Sequence, residues 1–452
     1  WAIDDTSVDD LPIPLGMHTS TQSSTNGKSM IYIIGGCTGV FRYIEDSIND
    51  GTAKKWPWKC TDFSKKVFAF NPYTDSYRVL ADMPIGKYGH TAVIVDGKIW
   101  VIGGRSRQLT IQSNGNNVYH DRVDRQIDVY DIAENSWDTI KNFKKATASG
   151  ASFSLESGSL YYAGGYDNAY IATNEVVKID TRKYIDEGLF EFESVASLKV
   201  ARGMIHATTV NRVGIIAGGS SERNFCELLN SAEEYNPYAE IRGSNFQGTD
   251  IGYNDVWNLI TEEITEVDMA SLEEKFLHPS ALINLNDQII TFGGVMNNEC
   301  SQDKNLTSVV TALDWKDASS KWYFHGLIPE SRFYFSAIPL PEANAALIFG
   351  GTAFYELECN CMKTMTRVSA YYIKDSLVKP KQEMSGVAIF GFSLFIGVIL
   401  LLVIYQIYFV KDSKSPETVI NQEGVSSYQG GVPSLPGAEG IVKDANKDLD
   451  LI

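Results

Sequence analysis

VFAFNPYTDSYRVL, residues 67–80, continues through ADMPIGKYGH, residues 81–90, into TAVIVDGKIWVIGG, residues 91–104. Val67 to Phe70 and Tyr77 to Leu80 are rich in aliphatic, β-branched and aromatic side chains. They flank Asn71, Pro72 and Asp75, residues suited to a tight turn, and so read as an antiparallel hairpin. His90 to Val95 and Lys98 to Ile102 read as a second hairpin across Asp96-Gly97, a dipeptide that accepts the positive φ angles of a two-residue turn. The stretch is therefore expected to form one unit of four antiparallel strands closed by Gly103-Gly104.

The doublet recurs. Gly35-Gly36, Gly103-Gly104, Gly164-Gly165, Gly218-Gly219, Gly293-Gly294 and Gly350-Gly351 each end a short apolar run, at steps of 68, 61, 54, 75 and 57 residues. Such steps are too long for a helical solenoid and fit four-stranded units of roughly 50 residues with loop insertions. QIDVYDIAENSWDTI precedes GASFSLESGSLYYAGG, EVVKID and LFEFESV precede HATTVNRVGIIAGG, and VTALDW and KWYFHGL precede YFSAIPLPEANAALIFGG. On these residues the chain resembles the kelch-repeat β-propeller family over roughly residues 1–378. The resemblance implies an all-β, six-bladed kelch-type β-propeller. It implies little about activity, because the same scaffold hosts sites of many kinds.

The two ends complement each other. After Gly351 one convincing strand remains, Val368 to Ile373, while the N-terminus offers Trp1-Ala-Ile, Leu11-Pro12 and His18 ahead of MIYIIGG, the order found inside the chain. The last blade is expected to be completed by residues 1–34, which removes an open sheet edge and makes the first dozen residues necessary for a stable ring.

Residues 387–410 contain no charge over 24 positions, enough to span about 30 Å of hydrocarbon as a helix. A transmembrane helix is expected there, joined to the propeller by a linker at 379–386 and followed by a disordered tail at 411–452. Lipid bilayer contacts through 387–410 follow, Ser393 and Gly397 offer a small-xxx-small face to another helix, and the ending Asp448-Leu449-Asp450-Leu451-Ile452 resembles an acidic dileucine signal for cytoplasmic sorting machinery. The lysines flanking the span are balanced, so orientation rests on other features. The chain starts without Met inside a strand-like pattern, as after removal of a secretory leader. Asn305-Leu306-Thr307 is a glycosylation sequon in an expected loop, and the six cysteines are an even number in expected loops. Together these favour an extracellular or lumenal propeller and a cytoplasmic tail.

Cys37 with Cys60 is the preferred first disulfide. Cys226, Cys300, Cys359 and Cys361 have no assigned connectivity, and Cys359 and Cys361 are expected to serve two different bridges because pairing across one residue is strained. The competing use of these thiols, a metal site, lacks Cys-x-x-Cys spacing or a neighbouring His, so no metal is expected.

If each doublet ends the second strand of a blade, loops 37–66, 105–126, 166–174, 220–229, 295–307 and 352–366 share one rim, and the chain leaves for the membrane from the opposite face. That membrane-distal rim is the expected binding surface for a protein or glycan partner. It carries Phe41, Tyr43, Trp56, Trp58, Tyr119, Tyr166, Tyr170, Phe225, Phe354 and Tyr355 with Arg105, Arg107, Arg122 and Arg125. Aromatic and Arg side chains anchor protein interfaces and stack on sugar rings; the alternative is that several of them pack their own loops. A net charge of −17 argues against nucleic acid as a partner.

Relatives of this kind include oxidases and epimerases, so a membrane-tethered carbohydrate-active enzyme is the alternative to a binding module. His18, His90, His206 and His278 recur at what reads as one point of the repeat, which marks them as scaffold, and Arg105, Arg202 and Arg332 have structural uses as well. No nucleophile motif, zinc motif or phosphate loop occurs, and neither catalytic residues nor a cofactor are expected.

Overall fold

The computed structural model describes residues 8–25, 28–43, 58–111, 117–221, 231–235, 250–252, 277–296, 305–315, 323–356, 358–359 and 361–373. The chain divides into two units, Trp1–Leu377 and Val378–Ile452, and only the first contains described residues. The membrane span expected at 387–410, the linker and the tail therefore lie outside them, as do Trp56, Cys226, Phe225 and Cys300. Among the described residues no helix is long and apolar enough to cross a membrane.

Among the described residues the fold is all-β, built from antiparallel sheets with one short helix, Thr181–Glu187, and one 3-10 turn. The first strands of successive sheets are Thr19–Thr25, Thr91–Val95, Ala151–Glu156, His206–Val210, Ala281–Leu285 and Ser336–Leu340. Each touches the next, and the last touches the first, so the sheets close into a ring. Every first strand is aligned by one register rule: its opening residue pairs with the residue just before a doublet, as in Thr19↔Ile34, Thr91↔Ile102, His206↔Ala217 and Ser336↔Phe349.

The apolar runs follow from sheet stacking. Along Lys98–Ile102, Ile99 and Val101 pack with Tyr32, Ile34 and Val67 of the preceding sheet, while Trp100 and Ile102 pack with Leu160 and Tyr162 of the following one. A strand covered on both faces gains from apolar side chains at every position rather than alternate ones.

The frame of the repeat differs from the sequence expectation. The hairpin Val67–Asn71 and Ser76–Val79 joins Lys28–Ile34 through Ile34↔Val67, whereas Thr91–Val95 and Lys98–Ile102 join Ile127–Asp131 through Ile102↔Ile127. Residues 67–104 thus contribute the outer half of one sheet and the inner half of the next. The same shift corrects the chain ends: residues 19–34 form the inner hairpin of the first sheet rather than completing the last. The last sheet has three described strands, Ser336–Leu340, Ala345–Phe349 and Val368–Tyr372. The N-terminal segment reaches it nonetheless: Leu11 N–H donates to Thr366 O at 2.8 Å, Leu15 N–H to Met365 O at 3.0 Å, and Val368 N–H to the Asp10 carboxylate at 3.2 Å.

All twelve doublet glycines have positive φ, from 48° to 110°. The second glycine donates its N–H to the neighbouring sheet: Gly36 to Lys87 O, Gly104 to Thr147 O, Gly165 to Arg202 O, Gly294 to Arg332 O and Gly351 to Leu15 O, at 2.8–3.2 Å. The last of these joins the final sheet to the first. Close approach is what demands glycine. A Cβ on Gly103, at φ +67°, would stand 2.0 Å from Thr147 O. Gly103→Ala is expected to cost about 3 kcal/mol of stability, from left-handed strain plus a backbone clash. Gly97→Ala, with nothing within 4 Å at its Cβ, is expected to cost less. Urea unfolding of the two variants makes the comparison.

Candidate functional site

Two residues ahead of the first strand, five repeats place a residue in the left-handed region: Met17 at φ 50°, Gly89 at 60°, Ser149 at 59°, Met204 at 56° and Tyr334 at 59°. Their backbones are linked in series. Met17 N–H donates to Tyr334 O at 2.8 Å, Gly89 N–H to Met17 O at 2.9 Å, Ser149 N–H to Gly89 O at 2.7 Å and Met204 N–H to Ser149 O at 2.7 Å. Met17, Gly89, Ser149 and Met204 border two cavities, and so divide the centre of the ring into two compartments.

The first compartment, of about 100 Å³, is walled by His18, His90, His206, Ser280, Phe333 and Phe335 among others. His90 Nε2–H donates to Ile34 O at 3.1 Å, and His18 Nε2 shares a 2.8 Å hydrogen bond with Ser336 Oγ. Each ring thereby ties its repeat to the preceding one. Burial pushes His18 down to about 3, and burial, with the Lys87 and His18 charges, does the same to His90. Burial pushes His206 down to about 4, so all three are neutral imidazoles at physiological pH. The register separates the histidines that the sequence grouped. His18 and His90 directly precede a first strand, His206 is the first residue of one, and His278 lies in the short strand Leu277–His278 ahead of Ala281. Only His18 and His90 are equivalent.

The arginines considered for chemistry are engaged by the scaffold. Arg202 Nη1 donates to Gly218 O at 3.1 Å and Arg332 Nη1 to Gly350 O at 3.3 Å, each holding the doublet of its own sheet. Thr147 Oγ1 does the same to Gly164 O at 2.7 Å. Among the described residues no group of three His, Cys, Asp or Glu side chains is placed to hold a metal ion.

The second compartment is nearly filled, with about 10 Å³ left beside Tyr88, Arg105, Tyr166 and Tyr170. Phe41 packs on Tyr334 at 4.8 Å, Phe63 on Tyr88 at 5.0 Å and Phe333 on Tyr334 at 3.9 Å between ring centres. Tyr166 O–H donates to Ser220 O at 2.9 Å. The Arg105 guanidinium lies 3.7 Å from the Tyr170 ring centre and donates to Asp167 O at 3.1 Å. Three rim residues from the sequence, Phe41, Tyr166 and Arg105, are thus buried in this plug, and Tyr170 is partly buried against it.

Above the plug, insertions build their own sheets. Thr352–Glu356, Cys361–Thr364, Val40–Tyr43 and Trp58–Cys60 form a four-stranded sheet in that order, joining segments some 320 residues apart through Phe41↔Met362. Tyr43, Trp58, Phe354 and Tyr355 all lie on its strands. A second hairpin, Arg105–Ile111 with Asn117–Val123, carries Tyr119 and brings Arg107 against Thr61 O at 2.9 Å. Arg42, Arg107, Arg122 and Arg125 are exposed. Cys37 and Cys60 are bridged, with Cα atoms 5.7 Å apart, as expected. Cys359 and Cys361 are also bridged, to each other, across a Cα distance of 5.1 Å. That corrects the expectation of two separate bridges: the hairpin turn brings the two Cα atoms within disulfide reach. Asn305 opens the strand Asn305–Asp314 rather than a loop, and Thr307 is buried.

A family model described as the Kelch motif matches residues 86–144. The solved structure titled "Structure of YjhT", a kelch-type β-propeller, superposes with a TM-score of 0.56 at 14% identity, over 82% of this chain and 98% of that one. The chain thus carries one Kelch-motif match and is similar in fold to a kelch-type β-propeller. No curated protein sequence matches the chain. In this propeller the motif match spans Gly103-Gly104, the buried Lys87 and the strand carrying Trp100, which are scaffold features. At this identity the likeness extends to the fold alone. Neither comparison marks the rim sheet or its arginines.

Proposed function

We propose that the chain is a six-bladed kelch propeller held at a membrane by residues 387–410, and that its rim sheet docks a protein or glycan partner. Kelch domains commonly mediate protein binding. The observation that carries the reading here is the rim itself: two disulfides and the strand pairing Phe41↔Met362 stabilise a platform assembled from the first and last repeats. A platform ordered in advance presents its surface to a partner without further ordering cost on contact. The platform also offers cations on an acidic chain. Arg42 stands opposite Lys59, a like-charge pair that weakens a sheet by itself and is relieved by an anionic partner. Arg107 and Arg122 lie exposed on the adjoining hairpin.

Exchanging Arg42, Arg107 and Arg122 together for Glu is expected to lower partner capture in native-membrane crosslinking at least about tenfold, with the melting temperature unchanged. Undiminished capture would remove the rim from the proposal. The anchor is tested separately, by whether alkaline carbonate extraction leaves the full chain in the membrane pellet and releases one lacking 387–410.

A further inference from the structure

We propose that the Cys359–Cys361 disulfide is a thiol-exchange site, opened by low-molecular-weight thiols of the glutathione class while the propeller stays folded. The first observation is access. Cys359 is half-buried at a hairpin turn, whereas Cys37 and Cys60 of the other described bridge are 0% and 4% exposed. Exchange requires a thiolate to approach one sulfur in line with the S–S bond, and exposed bridges are the labile ones.

The second observation is that the hairpin does not depend on the bridge. Glu356↔Cys361, Tyr355↔Met362 and Thr352↔Thr364 pair its two strands, and Cys361 is flanked on its other side by Arg42. A bridge spanning a separation of 2 residues also removes far less loop entropy from the unfolded chain than one spanning 23. Opening it therefore leaves the backbone ladder in place.

The third observation is the division of roles between the sulfurs. Cys359 is reachable and Cys361 is 1% exposed. An incoming thiolate bonds to Cys359 Sγ, the S–S bond breaks, and Cys361 departs as a thiolate that takes up a proton. Cys361 then either attacks the mixed disulfide and expels the incoming thiol, or waits while a second thiol attacks the adduct at its own sulfur. The second course releases Cys359 as a thiol and yields one oxidised thiol dimer. In total two thiols are oxidised and the protein disulfide gains two electrons.

The purified full chain is incubated with reduced glutathione, quenched in acid, alkylated and mapped by mass spectrometry. Cys359–Cys361 is expected to open about 100-fold faster than Cys37–Cys60, with the far-ultraviolet dichroism unchanged. With oxidised glutathione in place of the reduced form, the free Cys359 thiolate of Cys361→Ser is expected to take up one glutathione by exchange, releasing the other as a thiol, and to keep that adduct for lack of a resolving sulfur, where the wild type holds almost none. Opening of both bridges at one rate, or of Cys359–Cys361 only in denaturant, would overturn the assignment. Should Cys361→Ser fail to fold, the wild-type rates decide alone.

Discussion

Lys87→Met is expected to lower unfolding free energy by about 3–5 kcal/mol, because it strands two carboxylates in the interior. Lys87 Nζ lies 2.6 Å from Asp124 and 2.6 Å from Asp128, and the three side chains are 0%, 4% and 0% exposed. Asp128 further accepts from Thr139 Oγ1 at 2.9 Å. The cation stands at the sequence point occupied by Arg202 and Arg332 in other repeats, four residues ahead of the first strand. Those arginines bind doublet carbonyls, whereas Lys87 ties the first strand of its repeat to the third strand and crossover that follow. Removing the charges as a set tests the account. Adding Asp124→Asn and Asp128→Leu to Lys87→Met is expected to recover much of the loss in urea unfolding, since the desolvation penalty of a lone charge is then gone. Additive losses would show instead that packing around Lys87, and not charge pairing, sets the cost.

Acid is expected to unfold the propeller through its buried imidazoles. His18, His90 and His206 are pushed down to about 3, about 3 and about 4 from an ordinary value of 6.5. Their folded values lie below the unfolded one, so the stability they contribute is whole above pH 6.5 and is lost as pH falls from there toward 4. In that window the unfolded chain takes up to three more protons than the folded one, a slope approaching about 4 kcal/mol per pH unit. Denaturant midpoints measured from pH 7 to pH 5 give the proton count. His90→Asn is expected to remove one proton from it; an unchanged slope would show that His90 already carries a proton in the folded state.

The doublets, the hairpins and the closed ring were legible because each is dictated locally or by repetition. Positive φ combined with backbone crowding at the Cβ position, as at Gly103, requires glycine, and Asp96-Gly97 makes a turn whatever surrounds it. The frame of the repeat was not legible, since a hairpin at 67–79 looks the same whether it joins 28–34 or 91–102; only long-range pairing decides. The histidines misled for a related reason, as a shift of one residue along a strand changes which face a side chain takes. At the rim, residue types announced neither burial nor exposure. Phe41 and Tyr166 fill the plug and Arg107 faces solvent, a distinction set by a sheet whose partners, Val40–Tyr43 and Cys361–Thr364, are far apart in the chain. Pairing of Cys359 with Cys361 follows from that hairpin and had no signal beyond their proximity.

The stitch between the chain's ends has a bearing on how the protein is made. Val368 holds Asp10 across 358 residues, and Gly351 holds Leu15. A ribosome delivering this chain must finish nearly the whole propeller before its opening segment meets its partner, so the emerging repeats wait as an open arc with an uncovered flank. Chains cut short by a premature stop never lose that flank and remain visible to chaperones and proteases.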